Sequence, residues 1–226
     1  KLLVHTFSKP MEVEDFVQAA KDFKADAVAF TLLTIDILRT WEIVKAIKKE
    51  GMFIMVGGPH IADCPKEAIE YGADLAVSGE GELVLNELCD YWNGSAEAPV
   101  FGEIEGVTYR GNDGRIHTTG KRKRMKSLGY ETNPDFDLYD DFEPFRQEDG
   151  LIKGVQRIFT SRGCPAKCTF CDWKMFGQKM SYSPISEVVD EIVMRSEKYG
   201  IRVFTINDDT FTLDKRRVFE FCKLIS

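Results

Sequence analysis

The chain is missing several things, and each absence removes a class of protein. No stretch of about eighteen consecutive apolar residues occurs, so no segment reads as a membrane-spanning helix. Positive charge is not in excess: 30 Lys and Arg face 37 Asp and Glu, a formal net charge of −7. That excludes a protein that is basic overall and built to grip nucleic acid. The opening KLLVHTFSKP has no signal-peptide shape, because its apolar run is short and soon meets Pro10 and acidic residues. Cysteine is sparse, six in 226 residues, whereas secreted disulfide scaffolds are short and cysteine-dense. A reducing cytoplasm is the expected setting. Residue 1 is Lys, and VFEFCKLIS stops inside a helical pattern, so a longer chain, cut at both ends, is expected.

What is present is alternation. KLLVHTF is strand-like, and Val13, Phe16, Val17, Ala20 and Phe23 then recur at helical spacing. DAVAFTLLT (26–34) is a short apolar run, and Ile37, Trp41, Val44 and Ile47 line a helix that stops at Gly51. MFIMV (52–56) runs into GGPH. Pro65, Ala68, Ile69 and the stop at Gly72 mark a short helix. LAVS (75–78) runs into GEGE, and Val84, Leu88, Tyr91 and Trp92 form a helical face stopped by Asn93-Gly94. Continuous apolar strands separated by amphipathic helices predict a parallel α/β sheet covered on both faces over residues 1–94. Ligands of such sheets bind outside the carboxyl ends of the strands, where TLLT, GGPH and GEGE fall.

Residues 95–150 break the pattern. EGVTYR, GNDG and RIHTT predict a β-hairpin. KRKRMK (121–126) is expected to be a solvated basic stretch, and NPDFDLYDDFEPF is acidic, aromatic and irregular. This region reads as a connector. From 151 the alternation resumes: GVQRIFTS as a strand, a helix opening at Pro184 and ending at Gly200, VFTIND (203–208) as a strand, and a last helix carrying Val218, Cys222 and Ile225.

Three cysteines stand together in SRGCPAKCTFCDWKMFG, spaced Cys164-x₃-Cys168-x₂-Cys171. Cys64, Cys89 and Cys222 are scattered among apolar neighbours and read as buried small hydrophobes. A tetrahedral zinc site wants a fourth ligand, usually from a second CxxC or HxxxH pair, and the chain has neither. Three thiolates suit a four-iron cluster that leaves one iron without a protein ligand.

On these residues the chain resembles the radical S-adenosylmethionine (radical SAM) family. Phe170 stands just before the third cysteine, the cysteines follow a strand, and Asn207-Asp208-Asp209-Thr210-Phe211-Thr212 is similar to the "DDtFt" turn of many members. The first hundred residues resemble the cobalamin (B12)-binding domain found upstream of some radical SAM domains, through Thr31-x-Leu33-Thr34, Gly57-Gly58-Pro59-His60 and Gly79-Glu80-Gly81-Glu82. The resemblance implies a Rossmann-like domain over 1–94, a hairpin connector over 95–150, and the first βα units of a partial TIM barrel over 151–226. It implies that Cys164, Cys168 and Cys171 hold a [4Fe–4S] cluster whose open iron binds S-adenosylmethionine. Reductive cleavage there would yield a 5′-deoxyadenosyl radical. Phe170 would lie by the adenine, and Asp208 or Asp209 near the methionine end. Thr31, Leu33, Gly57, Gly58, His60, Gly79, Glu80 and Gly81 would line the cobalamin.

The implied activity is an oxygen-sensitive, cobalamin-dependent methyl transfer to a small-molecule substrate, fed by an electron donor such as flavodoxin or ferredoxin. The alternatives are a radical cyclisation or rearrangement, or a binding module without its own chemistry. The D-x-H-x-x-G that supplies a lower cobalt ligand in many such domains is absent: either its strand and loop lie before Lys1, or cobalamin is bound without a histidine, or it is not bound. About two of six barrel units are present, so the piece itself is expected not to turn over. Plainer readings stand beside these. His60 fits a turn histidine bonded to backbone. His5 and His117 fit structural positions. Glu80 and Glu82 fit a helix N-terminus. Asp208 and Asp209 fit caps of the last helix. Trp173 and Phe176 fit either shielding of a cluster or simple packing.

Overall fold

A computed structural model of the chain describes residues 12–95, 101–129, 132–138, 155–171 and 176–226. The expected first strand, with His5, and Trp173 lie outside the described residues. The chain divides into two compact units between Arg124 and Met125.

The first unit is a five-stranded sheet in the order β1 (Ala27–Thr31), β2 (Phe53–Gly57), β3 (Leu75–Val77), β4 (Val107–Arg110), β5 (Ile116–Thr118). β1, β2 and β3 pair in parallel, and β4 and β5 add on antiparallel. The hairpin thus extends this unit's sheet, with Val77 opposite Val107. The helices are α1 (Val13–Phe23), α2 (Ile37–Lys48), α3 (Pro59–Asp63), α4 (Pro65–Glu70) and α5 (Glu82–Trp92).

Because side chains alternate along a strand, the sheet feeds two cores. Ile54, Val56 and Ala76 face one core with Trp41, Val44 and Ile47 of α2 and Ala68 and Ile69 of α4, with Val13, Phe16 and Val17 of α1 packed on it. Leu75, Val77 and Val107 face the other, with Val84 and Leu88 of α5 and with Phe53 and Met55 at its margin. This is the parallel-dominated, layered α/β architecture that the apolar runs predict. Only β1 departs, since Ala27, Ala29 and Thr31 are exposed.

The second unit pairs β6 (Val155–Ile158) in parallel with β9 (Val203–Ile206). Helix α6 (Ile185–Tyr199) lays Val188 and Ile192 on Ile158, and Phe204 and Phe221 of α7 (Lys215–Ile225) complete a small apolar cluster. Gly200, at φ 67°, ends α6 in the left-handed region open to glycine. A short antiparallel pair, β7 (Ser161–Arg162) with β8 (Ser181–Tyr182), leaves no periodicity in the sequence and was not expected from it. A buried ion pair, Glu191 with Arg195, lies one helical turn apart on α6. Burial pushes the Glu191 carboxyl up from its ordinary range, and Arg195 opposes that shift.

Three expectations are corrected. Cys64 is half-buried, and Cys89 and Cys222 are exposed. On α5 the buried positions are Val84 and Leu88, one turn apart, and Cys89 falls off that face. KRKRMK is not wholly solvated. Arg122 is mostly buried and pairs with Glu87, while Arg124 pairs with the buried Glu80 at 3.7 Å. The last helix is capped by neither Asp208 nor Asp209. Asp214 caps it, accepting from the Arg216 amide at 3.0 Å.

Candidate functional site

In the first unit the carboxyl ends of β1, β2 and β3 lie side by side, because the register sets Thr31 beside Gly57 and Val56 beside Ala76. The exits are laced together. The Leu32 amide donates to the Gly57 carbonyl (2.8 Å), the His60 amide to the Leu32 carbonyl (3.2 Å), and the Ser78 hydroxyl to the Ile61 carbonyl (3.4 Å). Thr31, Leu33, Gly57, Gly58, His60, Gly79, Glu80 and Gly81 therefore share one edge of the sheet.

The glycines do different work. Gly58 sits at φ 99°, and a Cβ there would lie 2.8 Å from the Leu32 nitrogen and 2.9 Å from both the Leu32 oxygen and Thr31 Cγ2. That is a packing requirement within the fold. Gly79, at φ 93°, and Gly81 face open space, with nothing within 4 Å of a built Cβ. Those two leave bare backbone accessible to a flat ligand.

The backbone of His60 is bonded to backbone, but its ring is bonded to side chains. Its ring is buried in the first turn of α3, within 3.1 Å of the Thr34 hydroxyl through Nδ1 and 3.3 Å of Glu67 Oε2 through Nε2. A carboxylate only accepts, so Nε2 carries a proton toward Glu67. Glu67 Oε1 accepts in turn from Trp41 Nε1 at 3.0 Å. Cys64 joins His60 and Glu67 in a cluster whose ligand atoms lie within 4.8 Å of one another. Glu67 has no signal in the sequence, and Thr34, though part of the TLLT turn, has none for its contact with His60, because both meet His60 only through the fold. Leu33 is about half exposed and Glu80 is buried. Glu82 lies in the first turn of α5, as the helix-terminus reading expects. His117 is structural too, bonded to Asp113 at 2.9 Å and stacked on Tyr109.

In the second unit the cysteine loop leaves β6 beside the exit of β9. Asp208 fixes the two together. Its Oδ1 accepts from the amides of Thr160 (2.6 Å) and Ser161 (3.0 Å), and its Oδ2 from their hydroxyls (2.6 and 2.7 Å). Arg217 also secures Thr160, donating to the carbonyls of Thr160 (3.0 Å) and Ser183 (2.8 Å) and lying over the Tyr182 ring. Burial pushes the Arg217 guanidinium down, and the nearby Asp208 charge opposes that. The far end of the loop is tied by the Cys164 amide donating to the Gly177 carbonyl at 3.3 Å.

Between these anchors the thiols are presented outward. Cys164 is half-buried, Cys168 and Cys171 are exposed, and Phe170 is 91% exposed. Asp209 is exposed at the β9 exit. Phe176 packs under the Arg162 guanidinium, 5.5 Å from its ring centre. Thr160, Ser161 and Arg217 carry no motif of their own in the sequence. Thr210, whose hydroxyl lies 3.3 Å from Cys164 Sγ, stands within the NDDTFT turn but has no spacing signal of its own.

The donor set can be tested against the groups that three cysteines hold. Among the described residues, the one cluster tight enough for a single ion is His60, Cys64 and Glu67; the loop cysteines do not gather so closely. A four-iron cluster spreads its ligands over separate irons, so a wider set of three free thiols fits it better than a lone zinc. Open glycine backbone at the ends of parallel strands fits a flat, bulky cofactor in the first unit.

Known proteins resemble the chain over both units. Residues 4–89 match the B12 binding domain family. An uncharacterized methyltransferase of Pyrococcus horikoshii is 29% identical over 223 residues, covering 96% of this chain and 47% of that protein. The cytidylyl-2-hydroxyethylphosphonate methyltransferase of Streptomyces wedmorensis is 28% identical over 232 residues, covering 89% of this chain and 43% of that one. The chain thus spans about half the length of the curated relatives it matches. The fold matches the cobalamin-dependent S-adenosylmethionine radical enzyme OxsB, solved with aqua-cobalamin and S-adenosylmethionine bound. The TM-score is 0.74 at 18% identity, over 94% of this chain and 30% of that one. Residues 4–89 thus match a B12 binding domain, and the chain as a whole is similar in sequence to methyltransferases and in fold to a cobalamin-dependent S-adenosylmethionine radical enzyme.

Proposed function

We propose that this chain supplies the cobalamin- and cluster-binding segments of a radical SAM methyltransferase. The observation that carries the reading is the cysteine loop, pinned at both ends beside the β9 exit and following a B12-binding domain in the same chain. Cys164, Cys168 and Cys171 would hold a [4Fe–4S] cluster. Such a group, when bound, supplies the single electron that cleaves S-adenosylmethionine.

The rest of the work falls to protein residues. Asp208 holds the head of the loop in place through Thr160 and Ser161. Asp209 and Phe170 stand exposed beside the thiols, ready to meet the methionine and adenine ends of S-adenosylmethionine. Gly79 and Gly81 leave room for the corrin plane. Thr31, Leu33 and Gly57 line the same strand edge, and Gly58, His60 and Glu80 keep its loops in shape. A small-molecule methyl acceptor, a flavodoxin- or ferredoxin-type electron donor and a reducing cytoplasm complete the proposal. Among the described residues, no helix is long and apolar enough to cross a membrane.

The test is anaerobic reconstitution of the full-length protein with iron and sulfide, then incubation with S-adenosylmethionine and a reductant. Release of 5′-deoxyadenosine is expected, and Cys168→Ala is expected to lose the four-iron content. An intact cluster that releases none would overturn the enzyme reading, and full iron retention in Cys168→Ala would overturn the ligand assignment. Deoxyadenosine release without bound corrinoid would move the reaction to a cyclisation or rearrangement.

A further inference from the structure

We infer that the Thr210 hydroxyl donates a hydrogen bond to the Cys164 sulfur and thereby sets the electron affinity of the group that this cysteine helps to hold. The inference rests on the cluster reading above and deepens it. Thr210 Oγ1 lies 3.3 Å from Cys164 Sγ, and both residues are half-buried.

The contact is held from both sides by backbone. On the Thr210 side, the Asn207 amide donates to the Ile158 carbonyl at 2.8 Å, fixing the end of β9 to the end of β6. The next residue, Asp208, holds Thr160 and Ser161 with four hydrogen bonds. Thr210 follows two residues later and opens a short 3₁₀ turn, its carbonyl accepting from the Leu213 amide at 3.3 Å. On the Cys164 side, β7 and β8 pair at the root of the loop, and the Cys164 amide is bonded to Gly177. Two strand exits, fixed to each other, thus present a hydroxyl to a thiol across 46 positions of sequence.

The chemistry gives the contact a direction. A metal-bound thiolate has no proton to give, so the hydroxyl must be the donor. A hydrogen bond to a ligand sulfur draws electron density from it and favours the reduced, more negative state of the attached iron. Thr210 is therefore a positioning residue that acts through Cys164, and it raises the reduction potential relative to a chain without the hydroxyl.

Thr210→Val keeps shape and volume and removes the donor; Thr210→Ser keeps the donor. In the reconstituted full-length protein, EPR-monitored redox titration is expected to show the Thr210→Val cluster several-fold harder to reduce, where tenfold corresponds to about 59 mV for one electron. Thr210→Ser is expected to stay near wild type, at equal iron content. Resonance Raman of the oxidised wild type is expected to show an Fe–S(Cys) band that shifts in D₂O. An unchanged potential in iron-replete Thr210→Val overturns the inference, as does a wild-type spectrum indifferent to D₂O, which needs no variant. A wild-type protein that takes up no four-iron cluster overturns the parent reading instead, so the two failures are told apart.

Discussion

The two units build their candidate sites in opposite ways. In the first, the strand exits sit on a deep apolar core, and the residues one would name as ligand contacts are largely tied to one another: His60 to Thr34 and Glu67, and Glu80 to Arg124. What is left open is backbone, at Gly79 and Gly81. In the second, the apolar cluster is small, the anchoring is polar, and the reactive side chains stand free of it: Cys168 and Cys171 exposed, Asp208 consumed beneath them. A cofactor held mostly by shape needs a rigid cradle. One held by thiolate bonds needs fixed loop ends and movable sulfurs.

The largest blow to this contrast should come from Asp208→Ala. It strands four donors on Thr160 and Ser161, both buried, and leaves Arg217 without its nearby carboxylate. A loss of about 3–5 kcal/mol is expected for breaking such a buried charged network. Urea unfolding monitored in the second unit measures it, together with reduced iron uptake. A near-neutral result would mean that the polar anchor does not hold the loop.

Gly58→Ala should come next, at about 2–4 kcal/mol, because the new methyl meets backbone at 2.8 Å in a left-handed conformation. Gly79→Ala sharpens the comparison. It meets no atom within 4 Å, so it carries only the backbone cost and should weaken corrinoid binding more than thermal stability. Equal melting losses for the two variants would erase the distinction between a glycine needed for packing and one needed for access.

The smallest effect belongs to Asp137, at the surface of the second unit. Hydrogen bonds from Lys198 and then Tyr199 hold its carboxyl below the ordinary value of 3.8. A depressed folded value means that this stabilisation is complete above the unfolded value and is lost as pH falls through the folded one. Asp137→Asn should therefore be slightly less stable than wild type at neutral pH, with the gap closing toward low pH in parallel urea titrations. A gap that widens on acidification would contradict the assignment.

Much of the fold was legible because burial writes a period into the chain. MFIMV and LAVS became β2 and β3, the runs beginning at Ile37 and Pro184 became α2 and α6, and GNDG turned the hairpin. The misses share a cause. Helix α3 was hidden in GGPH because five residues carry no period. The two-residue pair β7–β8 was hidden for the same reason. KRKRMK carries no sign of burial in its own residues, because its partners, Glu87 and Glu80, are brought to it only by the hairpin's return to the sheet. At the sites, the cysteines and glycine turns could be read, since their spacing is local. The roles of Glu67, Thr34, Arg217 and Thr210 could not.

The sequence by itself determined which residues offer chemistry: three clustered thiols without a fourth, and glycine turns at the ends of apolar strands. Both are short-range facts, set by residue type and spacing. Only the tertiary structure decided what those residues are free to do. It committed the Asp208 carboxylate to Thr160 and Ser161, turned the His60 ring inward onto Glu67, and set a hydroxyl beside Cys164. Each of those outcomes joins groups far apart in the chain. A hydrogen bond is decided by where two strand exits end up in space, and no spacing along the sequence records that.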